Sequence, residues 1–342
     1  MEEAHLAAVR SYTWSRKARP SRGGVVALAA FVLALVSAPG AAPAQTYPSR
    51  IVRVVIPWPG GTNDAAGRIV FQKVAEALGQ PFVIENRAGA ASTIGTALVA
   101  KSAPDGYTVM VTSATLIANA HLYRGLPYDT LRDVTGVTPL CAQVGILAVH
   151  PSLPARSVRE LIALARARPD QILYGSSGSG SFVHLTMAQF AAMTKTRLVH
   201  VPYKGADAAG VALVAGEIQA MIAPMPVIKP LAAGNRVRIL AVTSGERMRQ
   251  LPEVPTLAES GVPGYELTAW VGAFVPSGTG KAIVERLNAE IRKALEHPDV
   301  AARFDSLALE SMPMTPEQFA QRLRSDYDKY AKLVALTGAK VD

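Results

Sequence analysis

The chain predicts an α/β fold divided into two domains. Three observations carry this. Short runs rich in β-branched residues alternate with helix-like runs over most of the 342 residues. Four of the strand-to-helix handovers pass through loops of Gly, Ser, Thr and Asp. The length left after an N-terminal leader suits two domains of ordinary size better than one.

The leader comes first. Arg10, Arg16, Lys17, Arg19 and Arg22 precede the apolar run Val25 to Val36, and small residues then lead to Ala42-Pro43-Ala44. A basic region, a short apolar core and an A-x-A site are the parts of a cleaved signal peptide, here residues 1–44. The core is shorter than the ~20 apolar residues of a membrane span. An uncleaved anchor is the alternative. No cysteine lies near the site, which argues against a lipid-modified form. Cleavage near Ala44 leaves 342 − 44 = 298 residues and a periplasmic protein.

Ile51 to Ile56 reads as a buried strand broken by Pro57-Trp58-Pro59-Gly60-Gly61. The helix that follows carries Ile69, Val70, Val74 and Leu78 on one face and is closed by Gly79. Tyr107 to Thr112 is a second strand, and Ser113 to Thr115 leads into a short helix. Ser157 and Glu160 form a capping box that opens a helix burying Leu161, Leu164 and Ala165. Gln171 to Tyr174 is a short strand, Gly175 to Ser181 a serine-rich loop, and Phe182 to Phe190 a helix. Leu198 to Val201 is a strand, and Pro202 to Asp207 is a loop into a helix through Val211 and Val214. Ala215 to Ile222 turns into a strand, and Val237 to Val242 is another. Pro252 to Gly264 reads as a loop with one short helix, and Leu267 to Val275 as a strand. Ile283, Leu287, Ile291 and Leu295 mark an amphipathic helix. Thr315-Pro316-Glu317-Gln318 caps the last helix, which buries Phe319, Leu323, Tyr327, Tyr330 and Val334.

The four polar loops point to a function. A helix start has unpaired N–H groups and a partial positive charge. Glycine lets a ligand approach that backbone, and serine adds donors, so such a loop is a seat for a small anion. In open α/β sheets ligands bind beyond the carboxyl ends of the strands. Four such loops converging would make one polar pocket.

Composition narrows the classes. The net charge is +9, and without the leader it is (35 − 5) − (26 − 2) = +6. That mild excess favours anionic partners, but no basic run interleaved with aromatics speaks for nucleic acid. Cys141 is the only cysteine, so no internal disulfide forms, and its apolar neighbours mark a core residue. Six dispersed histidines have no metal-ligand spacing, and no cofactor is implied. Gly175 to Ser179 fails the nucleophile-elbow pattern at its last position, which disfavours a serine hydrolase. Gly178 to Val183 breaks the dinucleotide pattern. In Gly278-Thr279-Gly280-Lys281, Val275 and Ala282 replace the residues a phosphate loop needs.

Seven motifs recur in order: Tyr47-Pro-Ser-Arg-Ile51, Pro57-Trp-Pro-Gly-Gly61, Glu85-Asn-Arg87, Pro104-Asp-Gly-Tyr107, Leu126-Pro-Tyr-Asp129, Val201-Pro-Tyr-Lys-Gly205 and Val254-Pro-Thr256. Together they resemble the Bug family of extracytoplasmic solute receptors, the binding proteins of tripartite tricarboxylate transporters. The resemblance covers Tyr47 to Asp342. It implies a type II periplasmic binding protein, with two Rossmann-like α/β domains around a ligand cleft. Residues 47–148 and 271–342 would form domain one, residues 149–270 domain two, and the chain would cross near Val149 and Trp270. It implies no enzyme and no cofactor. A monomeric receptor would close on a small carboxylate, a di- or tricarboxylate or an aromatic acid, and present it to the transporter's membrane subunits. A sensor that shows the loaded form to a signalling partner is the alternative.

Carried over by position, the first loop offers Gly60, Gly61, Thr62 and Asp64, with Asp64 accepting from a bridging water or capping its helix. The second offers Ser113 and Thr115. The third offers Ser177, Gly178, Ser179, Ser181 and His184, and the histidine is equally a core or capping residue. The fourth offers Tyr203, Lys204 and Gly205, where the tyrosine packs or binds and the lysine binds or faces solvent. Trp270, at the second crossing, completes the set. Two departures stand out. Ile222-Ala-Pro-Met-Pro226 lacks the aspartate many relatives carry there, which turns the expectation from amino acids towards plain or aromatic carboxylates. Asn86-Arg-Ala-Gly-Ala-Ala-Ser92 departs from the usual glycine-rich loop without indicating a specificity.

Overall fold

A computed structural model describes residues 47–339, so the signal peptide lies outside the described residues. Nine strands and ten α-helices follow one another in this part of the chain. They are β1 Val52–Ile56, α1 Gly61–Leu78, β2 Phe82–Asn86, α2 Thr93–Ala100, β3 Thr108–Ser113, α3 Thr115–Leu122 and β4 Val134–Val149. Next come α4 Val158–Ala167, β5 Leu173–Ser176, α5 Phe182–Thr194, β6 Val199–Pro202, α6 Ala206–Ala215, β7 Ala220–Pro224 and α7 Met225–Ala232. The chain ends with β8 Arg238–Val242, β9 Thr268–Pro276, α8 Lys281–Glu296, α9 Pro298–Ser306 and α10 Pro316–Thr337.

The strands run in the order β2-β1-β3-β9-β4-β7-β5-β6, with β8 also on β4. β1 lies parallel to β2 and β3, while β9 lies antiparallel to β3 and β4. β5 is parallel to β6 and β7, and β4 is antiparallel to β7 and β8. β4 changes partners along its length. Val134 to Val144 pairs with β9, and Gly145 to Val149 pairs with β7 and β8.

β1 is buried on both faces, which is why it reads as a continuous β-branched run. Val52, Val54 and Ile56 pack into one apolar cluster with Val70, Val74, Leu287 and Ile291 from α1 and α8. Val55 points the other way, into a cluster that holds Leu116, Phe274, Phe319 and Trp270. A third cluster joins Ile146, Ile218, Met221 and Leu213 around β7 and α6. Cys141 is fully buried in the first of these, and burial pushes its thiol up to about 12, so it is an inert core residue.

The expected box forms in full at Thr315 and by half at Ser157. Thr315 accepts from the Gln318 N–H at 3.2 Å, and Gln318 Oε1 accepts from the Thr315 N–H at 2.9 Å. Ser157 accepts from the Glu160 N–H, while Glu160 turns back to the Arg156 N–H. In α10 Phe319, Leu323 and Tyr330 are buried, whereas Tyr327 and Val334 are only partly covered. Residues 252–264 fold as turns, not with the short helix the sequence suggests. β4 has no counterpart in the sequence reading. Gly136, Pro139 and Gly145 make the run look broken, and the ladder absorbs the first two with register shifts beside them.

Candidate functional site

The four strand-to-helix loops meet around one small cavity of about 30 Å³. The first loop runs from β1 into α1. Gly60 has φ +72° and ψ −172°, a conformation essentially reserved for glycine, and it starts α1 with no side-chain cap. The first N–H groups of α1 are thereby left for other acceptors. Asn86, at the end of β2, steadies this loop by donating to the Trp58 carbonyl at 3.0 Å and to Asp64 at 2.7 Å.

The second loop leaves β3. Ser113 donates its hydroxyl to Thr115 Oγ1 at 3.1 Å, and Thr115 Oγ1 also accepts the Phe182 N–H at 3.2 Å. That last bond ties the start of α3 to the start of α5. The serine-rich loop then holds itself together. Ser176 Oγ accepts the Gly178 N–H at 3.1 Å and lies 2.6 Å from His200 Nε2. Ser181 caps α5 by accepting from the His184 N–H at 3.2 Å. His184 Nδ1 accepts the Gly180 N–H at 3.0 Å. In the fourth loop the Tyr203 N–H donates to the Ser176 carbonyl, and Gly205, at φ +113°, opens α6 facing the Pro59 carbonyl.

Trp58, Pro59, Gly60, Gly61, Thr62 and Asn63 line the cavity from the first loop. Ser113, Thr115, Ser177, Ser181, Phe182 and Val183 line it from the second and third. Gly205 and Ala206 close it from α6, and Gln143, Pro224 and Val227 complete the wall. No charged side chain is among them. Four of these residues carry a buried polar atom with no partner: Trp58 Nε1, Thr62 Oγ1, Asn63 Oδ1 and Gln143 Oε1. Each is at least nine-tenths buried. Unpaired buried polar groups cost roughly 1–3 kcal/mol each, so these four wall residues are the candidates to pair with a polar ligand.

Eight sequence-derived candidates line this cavity: Gly60, Gly61, Thr62, Ser113, Thr115, Ser177, Ser181 and Gly205. The other seven sit elsewhere. Gly178 and Ser179 belong to the serine-rich loop but not to the cavity wall. Asp64 neither caps α1 nor reaches the cavity, because Arg68 holds it at 2.8 Å. His184 lies behind the loop, stacked on His200 with ring centroids 4.0 Å apart. Burial pushes His184 down to about 3, helped by His200, and burial alone pushes His200 down to about 4. Both imidazoles are therefore neutral at neutral pH, as acceptance from the Gly180 N–H requires. Tyr203 packs against the apolar cluster around β7, and Lys204 is exposed. Trp270 is fully buried away from the cavity, donating its indole N–H to Asp326 at 2.8 Å.

Sequence reasoning passed over Trp58, Asn63 and Gln143 as site residues. The first two lie in a loop it singled out. Gln143 had a signal of its own, a lone amide within the apolar run from Leu140 to Val149. Among the described residues no three His, Cys, Asp or Glu side chains cluster as a metal site, and no helix is long and apolar enough to cross a membrane.

Comparison with known proteins identifies the family. The sequence pattern described as "Tripartite tricarboxylate transporter family receptor" matches residues 66–338. The protein BugT of Bordetella pertussis is 35% identical over 302 residues, covering 87% of this chain and 92% of BugT. Two solved structures from Rhodopseudomonas palustris superpose well. Rpa4515 with adipate has a TM-score of 0.83 at 34% identity, over 86% of this chain and 100% of its own. MatC with bound malate has a TM-score of 0.80 at 30% identity, over 84% of this chain and 100% of its own. These relatives are solute-binding receptors and not enzymes. The chain belongs to the tripartite tricarboxylate transporter receptor family, also known through its Bug members, and has the α/β fold of its periplasmic binding proteins.

Proposed function

We propose that this chain is exported to the periplasm, captures a small carboxylate in the cavity and hands it to the membrane subunits of a tripartite tricarboxylate transporter. The observation that carries the reading is the cavity itself. It is built on the starts of α1, α3, α5 and α6 and holds four unpartnered polar atoms. Helix N-termini supply N–H donors and positive potential, which suits a carboxylate without a lysine or arginine clamp. The adipate and malate held by the two R. palustris proteins support the same ligand class.

The same reading has the protein close on its ligand. Residues 47–144 and 268–339 hold β1, β2, β3, β9 and the first part of β4, and residues 145–267 hold the remaining strands. We place the hinges at Val144/Gly145 and before Thr268, a few residues inside the crossings expected from sequence. The bond from the Phe182 N–H to Thr115 joins the two parts at the cavity. A ligand that bridges them shifts the population towards the closed form, whose surface the transporter reads.

A thermal-shift screen against small carboxylates, with sugars and phosphate esters as controls, tests the reading. A ligand at 100 times its Kd adds about 2.7 kcal/mol of apparent stability. Shifts confined to carboxylates support it. A shift with a sugar or phosphate ester alone overturns the ligand class.

A further inference from the structure

Asp207, an exposed residue outside the wall, brings a negative charge beside a cavity that has no charged lining. It stands in the first turn of α6, next to the wall residues Gly205 and Ala206. Its carboxylate reaches over to the first loop, with Oδ2 against Gly60 and beside the Gly61 backbone. A Cβ at Gly60 would clash with its Oδ2. The start of α1 thus already has a carboxylate of the protein beside it.

The surroundings do not cancel this charge. Burial pushes the Asp207 carboxyl above its ordinary range and the negative Asp64 adds to the effect, with the Gly61 N–H opposing them. Asp64 itself is paired with Arg68. Lys204, three residues before Asp207, is exposed, and no ion pair to Asp207 occurs among the described residues. The unpartnered groups on the wall residues are a hydroxyl, two amides and an indole N–H, all uncharged.

We propose that Asp207 sets the charge of the ligand: the site takes small acids with one carboxylate and an uncharged polar substituent such as a hydroxyl, and discriminates against a second carboxylate. The carboxylate settles on the helix starts. The amides of Asn63 and Gln143 and the Thr62 hydroxyl satisfy the neutral group. A second carboxylate would find no cation among the lining residues and would meet the Asp207 charge beside Gly60, and like charges brought together disfavour binding even where solvent screens them in part. This inference rests on the carboxylate-receptor reading, and it goes beyond the dicarboxylates held by the two R. palustris proteins.

The test is calorimetry on the purified protein and its Asp207→Asn variant with three acids of equal chain length: butyrate, 3-hydroxybutyrate and succinate. The wild type should bind the two monocarboxylates at least about tenfold more tightly than succinate, with 3-hydroxybutyrate ahead of butyrate. Asp207→Asn should gain succinate affinity and close most of that gap. If the wild type binds succinate as tightly as butyrate, or if the variant keeps the wild-type ratio, the proposal is overturned. Asp207→Ser, also compatible with a helix start, serves if the asparagine variant does not fold. If no carboxylate of a wider panel binds the wild type, the receptor reading itself falls and this proposal with it.

Discussion

Acid should loosen the serine-rich loop through His184, and the size of the effect follows from the structure. His184 is 6% exposed and its Nδ1 accepts the Gly180 N–H, so only the neutral imidazole fits. Burial, with His200 alongside, pushes it down to about 3 from an ordinary 6.5. The unfolded chain therefore takes up the proton first as pH falls. The stabilisation is complete above 6.5 and is lost progressively between 6.5 and about 3. At pH 5 the loss is about 1.5 pH units at 1.36 kcal/mol per unit, roughly 2 kcal/mol. The figure is insensitive to the exact folded value, because pH 5 lies well above it. The assay is urea unfolding of the protein and of His184→Gln at pH 7.5 and pH 5. Between these, the wild type should lose about 2 kcal/mol more than the variant. His200 stacks on His184, so the His184→Gln, His200→Gln double variant measured beside the His200→Gln single variant isolates the His184 share. Parallel losses in the two proteins would refute the burial of a neutral His184.

Three further outcomes are expected. Gly60→Ala forces a side chain into a glycine-only conformation against Asp207, and should cost about 1–3 kcal/mol in urea unfolding. Ser177→Ala removes a hydroxyl from the cavity wall without touching the core. It should weaken the tightest-binding carboxylate of the screen by about tenfold, read by calorimetry, with the ligand-free melting temperature unchanged. Asp326→Ala leaves the Trp270 indole N–H and the Arg322 guanidinium without their buried acceptor. It should cost about 3 kcal/mol in unfolding, since each is a hydrogen bond to a charged group worth roughly 1.5–3 kcal/mol and Arg322 recovers part of its share from solvent.

The local elements were open to reading because their signals lie within a few residues. β1 announces itself by Val52, Val54, Val55 and Ile56, and α10 by the Thr315–Gln318 box. The loops announce themselves by Gly60-Gly61 and Gly178-Ser179-Gly180. β4 did not, because a strand that bends past Gly136 and Pro139 is stabilised by β9, more than a hundred residues later in the chain, and not by its own propensity. The site divides in the same way. Glycines and hydroxyls at helix starts marked eight of the cavity residues, since the chemistry of a helix start is local. Trp270 was placed in the site because it stands beside an expected crossing. Its partner Asp326 lies in the last helix, and that contact draws it away from the ligand loops.

The sequence by itself determined the family, the alternation of strands and helices and the positions of four polar loops. Each of these is written in residue type and short spacing. Only the tertiary structure decided which residues line the cavity, that Gln143 joins it, that His184 supports the loop from behind and that Asp207 reaches Gly60 from α6. Apart from the His184–Gly180 bond, those are contacts between residues far apart in the chain. They depend on where packing brings the sheet and helices together, and no single segment encodes that.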